Sequence, residues 1–140
     1  MAVKLFNFAQ KCYKANFRIF ARIICWFLRY VCGIEIQAGM KCGNGLRLPH
    51  NGLGCVIHVG SVIGNNVTIH QNVTLGGREG SGLPVICDSV EIGVGAVILG
   101  DITVGKGSKI GANALVIHDV PENSIAVGVP AVIKPRREFR

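Results

Sequence analysis

The stretches IHVGSVIGNNVTIHQNVTL (57–75) and ICDSVEIGVGAVILGDITVGKGSKIGANALV (86–116) decide how this chain folds. An aliphatic residue returns at every sixth position: Ile57, Ile63, Ile69 and Leu75 in the first, then Ile86, Ile92, Ile98, Val104, Ile110 and Val116 in the second. A helix needs a period of about 3.6 and an ordinary strand a period of about 2, so neither accounts for six. Glycine often follows the aliphatic residue (Gly64, Gly76, Gly93, Gly105, Gly111). A small or aliphatic residue stands four along (Val67, Val73, Val90, Ala96, Ile102, Ala114). A three-sided solenoid of short parallel strands satisfies this pattern. The aliphatic residue points inward onto its equivalents in the next coil, and glycine lets the chain turn each corner.

Outward from these runs the period breaks twice. Ile36, Cys42 and Leu48 keep the spacing of six, but the step on to Ile57 is nine, which inserts three residues around His50. From Leu75 to Ile86 the step is eleven, which inserts five within 76–85. Both insertions should bulge as loops, and loops on a rigid scaffold are where function concentrates.

Residues 3–32 differ in kind. They are apolar at helical spacing (Leu5, Phe8, Cys12, Ala15, Ile19, Ile23, Trp26, Tyr30), with a second stripe at Phe20, Ile24, Phe27 and Val31. No glycine or proline precedes Gly33. One or two helices are expected. Arg22 and Arg29 interrupt the apolar run, so no stretch of about 20 uncharged residues exists to span a bilayer. The segment either caps the open end of the solenoid and packs against neighbouring subunits, or makes peripheral contact with an anionic membrane surface. The plan is then a helical segment (1–33), a solenoid (34–133) and a basic tail (134–140).

At 140 residues and 49% hydrophobic, the chain is long and apolar enough for one domain with its own core. Its net charge of +7 is concentrated at the ends: +6 over 1–33, which holds no acid, +3 over 134–140, and −2 over the body. A body that is not basic, with no helix-turn-helix, zinc-finger or RNA-binding signature, argues against nucleic acid as a partner. Six cysteines without a CxxC pair, and no cleavable signal, read as reduced thiols in a cytoplasmic protein.

Of four histidines, His50 in LPHNGLG (48–54) is the candidate general base, because imidazole titrates near neutrality and lies here in an insertion rich in glycine. Glu35, the only acid before Glu79, lies fifteen residues earlier, close to one 18-residue coil, where it could hold the imidazole tautomer. His58 and His70 are twelve apart and fit no zinc spacing, so no metal is expected. His118 reads as a solvated surface residue. Cys42 occupies an inward position and is core, not a nucleophile.

The motifs LPHNGLGCVIH (48–58), NVTLGG (72–77), ILGDITVG (98–105) and AVGVPA (126–131), in this order over residues 33–134, resemble the serine acetyltransferase branch of the hexapeptide-repeat acyltransferases. That resemblance implies an all-β fold, a left-handed parallel β-helix, assembled as a homotrimer with active sites between subunits. It implies acetyl-CoA as co-substrate, His50 as base, and Glu35 where the family usually has aspartate. Backbone near Gly77, Val94 and Ala112 would follow the pantetheine arm, and Lys134 or a neighbouring basic residue would meet the CoA phosphates.

The departures bear on the acceptor. The family places aspartate before the base histidine and an Arg-His pair before a proline of the second loop; here Pro49 and Gly82-Leu83 stand there. On this reading the short helical segment is expected to stand in place of the family's large N-terminal helical domain. Such a chain is similar to the O-acetyltransferases of capsule and exopolysaccharide biosynthesis, so the expected acceptor is a sugar hydroxyl of a surface polysaccharide. The alternatives are a serine O-acetyltransferase of cysteine biosynthesis and a non-catalytic trimeric scaffold.

Overall fold

The structure is a computed structural model and describes residues 1–135. Two helices, α1 (Ala2–Lys14) and α2 (Arg18–Tyr30), precede a coil of short strands. Asn16, at φ 66°, ends α1: it adopts the left-handed conformation while Phe17 N–H reaches back to Cys12 O at 2.9 Å. Gly33 ends α2 in the same way, with Ile34 N–H donating to Leu28 O at 3.1 Å.

The solenoid has three parallel faces. Face I stacks β2 (Val56–Ile57), β5 (Thr74–Gly76), β8 (Val97–Leu99) and β11 (Leu115–Val116). Face II stacks β1 (Lys41–Cys42), β3 (Val62–Ile63), β6 (Val85–Ile86) and β9 (Thr103–Val104). Face III stacks β4 (Thr68–Ile69), β7 (Glu91–Ile92), β10 (Lys109–Ile110) and β12 (Ser124–Val127), with β13 (Val132–Pro135) added antiparallel at its edge. The registers Ile57–Leu75–Ile98–Val116, Cys42–Ile63–Ile86–Val104 and Ile69–Ile92–Ile110 stack the aliphatic positions read from the sequence. All ten members of the two phased runs are 3% exposed or less. Cys42, half-buried at its place in this stack, has its thiol pushed up to about 11 by desolvation.

The reading that glycine turns the corners requires correction. Left-handed φ falls three residues after the aliphatic position, at Gly45, Asn66, Asn72, Ser89, Gly95, Gly107, Asn113 and Asn123. At Gly64, Gly93 and Gly105 the glycine directly after the aliphatic residue serves close approach instead: a Cβ on Gly93 would lie 2.7 Å from Ala112 N and 2.8 Å from Ile110 O.

The coil also runs further than Val116. Val120 bridges Val104 and Ala126 pairs with Ile110, so a step of four replaces six after Val116. That is a third phase break. The expected basic tail begins inside β13, where Lys134 lies opposite Ile125; Arg136, Arg137 and Arg140 lie outside the described residues.

Ala2, Phe6 and Leu28, each 1% exposed or less, join the core formed by Ile34, Ile36, Met40, Leu46 and Leu48. The helical hairpin thus closes the first coil, which would otherwise leave an apolar end in water.

Candidate functional site

Coil registration locates the first insertion. Along the corner from face III to face I, an N–H from each coil donates to the coil before: Asn72 to Leu53 O, Gly95 to Gln71 O and Asn113 to Val94 O, at 2.8–3.0 Å. Leu53, Gln71, Val94 and Ala112 therefore form one column, and the three extra residues are His50, Asn51 and Gly52. Pro49–Gly52 is a 3₁₀ turn in which His50 (φ 54°, ψ 29°) and Asn51 (φ 58°, ψ 20°) are left-handed. Leu53 N–H closes it onto His50 O at 3.3 Å.

Each member of the turn is held for a reason. Gly52 is buried against Ile34, whose Cδ1 lies 2.6 Å from where a Cβ would stand. Asn51 Oδ1 accepts from the Met1 ammonium at 2.9 Å and from Ala2 N–H at 3.3 Å, tying the bulge to the start of α1. His50 is left exposed at the apex, available to solvent or substrate.

Closure of the coil returns the chain beside Glu35. Gly54 N–H donates to Gly33 O at 2.8 Å, Glu35 N–H to Cys55 O at 2.9 Å, and Ile57 N–H to Glu35 O at 2.9 Å. Glu35 is thus fixed at the head of face I. Its carboxylate pairs with Arg29 at 3.4 Å, and among the described residues no hydrogen bond or ion pair joins its side chain to His50. Arg29 escaped the sequence reading, which looked for the carboxylate's partner only within the solenoid.

Val94 and Ala112 are brought together, one coil apart, in the column that leads from the His50 bulge. With coils spaced about 4.8 Å, the three steps from Leu53 to Ala112 span roughly 14 Å. Leu53 and Gln71 belong to this column and were missed, because without registration the insertion could not be placed to the residue. Gly77 lies elsewhere, past the far edge of face I, where β5 leaves for the second loop. Lys134 is exposed on β13 at the opposite end of the solenoid from the helices.

In the second loop, Ser81 Oγ donates to Arg78 O and holds a tight turn through Glu79 and Gly80, both at positive φ. Leu83 is half-buried over Gly60, leaving that corner apolar. His58 Nδ1 accepts from Gly60 N–H at 3.1 Å, whereas His70 faces Glu91 at 3.7 Å on face III. Lys109 binds the same carboxylate at 3.0 Å, and the hydrogen bond from Lys109 is the main cause of the lowered Glu91 pKa. His118 is exposed. Cys55 is buried with its thiol donating to His70 O at 3.0 Å.

Comparison with known proteins agrees with this architecture. The family described as bacterial transferase hexapeptide (six repeats) matches residues 84–118. A serine acetyltransferase of Bacillus subtilis is 46% identical over 132 residues, covering 92% of this chain and 60% of its own length. A serine acetyltransferase of Helicobacter pylori is 42% identical over 133 residues, covering 93% of this chain and 77% of its own. A solved serine acetyltransferase in complex with CoA superposes with a TM-score of 0.85 at 38% identity, over 95% of this chain and 55% of that one. The chain spans about 60% of the length of the Bacillus relative. These relatives are named for serine, the alternative acceptor of the sequence reading and not its first choice. The chain belongs to the serine acetyltransferase family of hexapeptide-repeat acyltransferases.

Proposed function

We propose that the chain is an acetyl-CoA-dependent O-acetyltransferase, working as a homotrimer of left-handed coils, with His50 as general base. The observation that carries this reading is the three-residue bulge that exposes His50 at the head of the Leu53–Ala112 column. A pantetheine arm laid along that column would bring its thioester to the bulge, with Lys134 at the phosphate end. His50 removes the proton of the acceptor hydroxyl as its oxygen attacks the thioester carbonyl. The tetrahedral oxyanion then collapses, the C–S bond breaks, and the CoA thiolate takes the proton back from His50. Glu35 steadies the charged imidazole once it is released from Arg29.

The relatives' names make L-serine the first acceptor to test. One observation favours a second reading, a sugar hydroxyl: Pro49 and Leu83 put apolar groups at the two positions where the resemblance calls for charged anchors of a zwitterion. Release of free CoA, followed by thiol titration, is measured with L-serine and with sugar acceptors in parallel. Turnover with serine alone supports the first reading, turnover with sugars alone supports the second, and no CoA binding by calorimetry overturns both.

A further inference from the structure

We propose that α2 is a membrane-surface helix that seats the hairpin end of the molecule on anionic lipid. At about 100° per residue, Ile19, Phe20, Ile23, Trp26, Phe27, Tyr30 and Val31 fall in one sector roughly 140° wide. That sector is turned away from the core: Ile19 is 76% exposed, Ile23 56%, Trp26 61% and Tyr30 64%. Ala21 and Leu28, on the opposite side, are buried and already anchor the helix to the protein. Capping of the solenoid therefore accounts for one side of α2 and leaves an apolar sector wider than the buried one.

Charge selects the occupant. Arg18 and Arg22 line one flank of the exposed sector beside Arg29, which is paired with Glu35, and residues 1–33 contain six basic groups and no acid. A second copy meeting this face through its own hairpin would bring six more basic groups and no carboxylate to it. An anionic lipid surface supplies the opposite charge at the depth the arginines reach, while Trp26 and Tyr30 suit the zone between headgroup and acyl chain. No helix among the described residues is long and apolar enough to cross a membrane, so the contact is in-plane.

Trp26 is the only tryptophan, so its emission reports this face alone. The full chain is mixed with vesicles of phosphatidylcholine alone, and with vesicles holding about a third phosphatidylglycerol, and followed by fluorescence and flotation. The expected result is a blue shift and co-flotation with the anionic vesicles only, weakened by added salt. Arg18→Glu combined with Arg22→Glu should lower binding by at least about tenfold. Ile19→Ser with Ile23→Ser should lower it as well, in both cases with unchanged thermal melting. Arg29 is left intact because it holds Glu35. No shift with anionic vesicles, or equal binding to neutral ones, overturns the proposal. So does a blue shift that grows with protein concentration without lipid, which would assign the face to a second copy.

Discussion

Glu35 is the carboxylate proposed to orient His50, yet its oxygen faces Arg29. This makes the acid's role testable apart from the base's. His50→Asn keeps a residue that tolerates left-handed φ, so the turn should survive while proton transfer is lost. The expected outcome is a fall in kcat/KM of about 10²–10⁴ with an unchanged melting curve. Glu35→Gln should lower kcat at least about tenfold while leaving KM for acetyl-CoA near its original value. Arg29→Gln is the control. If it costs as much as Glu35→Gln, the ion pair matters structurally and Glu35 does not act through His50; if activity is kept or raised, the carboxylate works by swinging to the imidazole.

At the level of the coil, two kinds of glycine coexist, and substitution separates them. Gly93→Ala would place a methyl against backbone atoms of the next coil at 2.7 Å and 2.8 Å, where no side chain can yield. It should cost about 1–3 kcal/mol in urea unfolding. Gly76→Ala meets only Leu99 Cδ2 at 3.4 Å and should stay within about 0.5 kcal/mol of the parent. Equal costs would contradict the assignment of close approach to Gly93. These positions also show what was legible in the sequence. The inward aliphatic row was plain because a coil can bury itself only through it. The left-handed corner was hidden because asparagine, serine and glycine share it, and the eye follows glycine. The same residue type hid the end of α1, where Asn16 takes the left-handed conformation with no glycine or proline to mark it. Past Val116 the period shortens by two residues, so the aliphatic row read at six ends there, although the expected solenoid (34–133) already took in β12. At the candidate site, the bulge at His50 was legible through the inserted residues, but the Arg29–Glu35 pair was not, since nothing in a local pattern announces a contact between a capping helix and the first coil.

For the whole molecule, the shifted groups among the described residues are three thiols and one surface carboxylate, and they bound the pH range of greatest stability. Burial raises the thiol pKa of Cys25 and Cys55, and lifts that of Cys42 from 9.0 to about 11. The folded state therefore holds these protons more tightly than the unfolded chain does. Their stabilising contribution is complete below 9.0 and is lost as pH rises through the raised values, about 11 for Cys42. Glu91 behaves in the opposite sense: Lys109, and then His70, keep its carboxylate charged below its usual range. Its contribution is present above 4.5 and fades as pH falls through the lowered value, and because the pair is largely exposed it is worth less than about 1 kcal/mol. Urea midpoints measured across pH should form a plateau between these limits, with the alkaline fall the steeper because three groups contribute. Cys42→Ala should lower the plateau by removing core packing and at the same time flatten the alkaline limb, while Glu91→Gln should flatten only the acid limb. An alkaline limb unchanged in Cys42→Ala would show that the thiol ionises as easily in the folded solenoid as in the unfolded chain, and would remove Cys42 from the core.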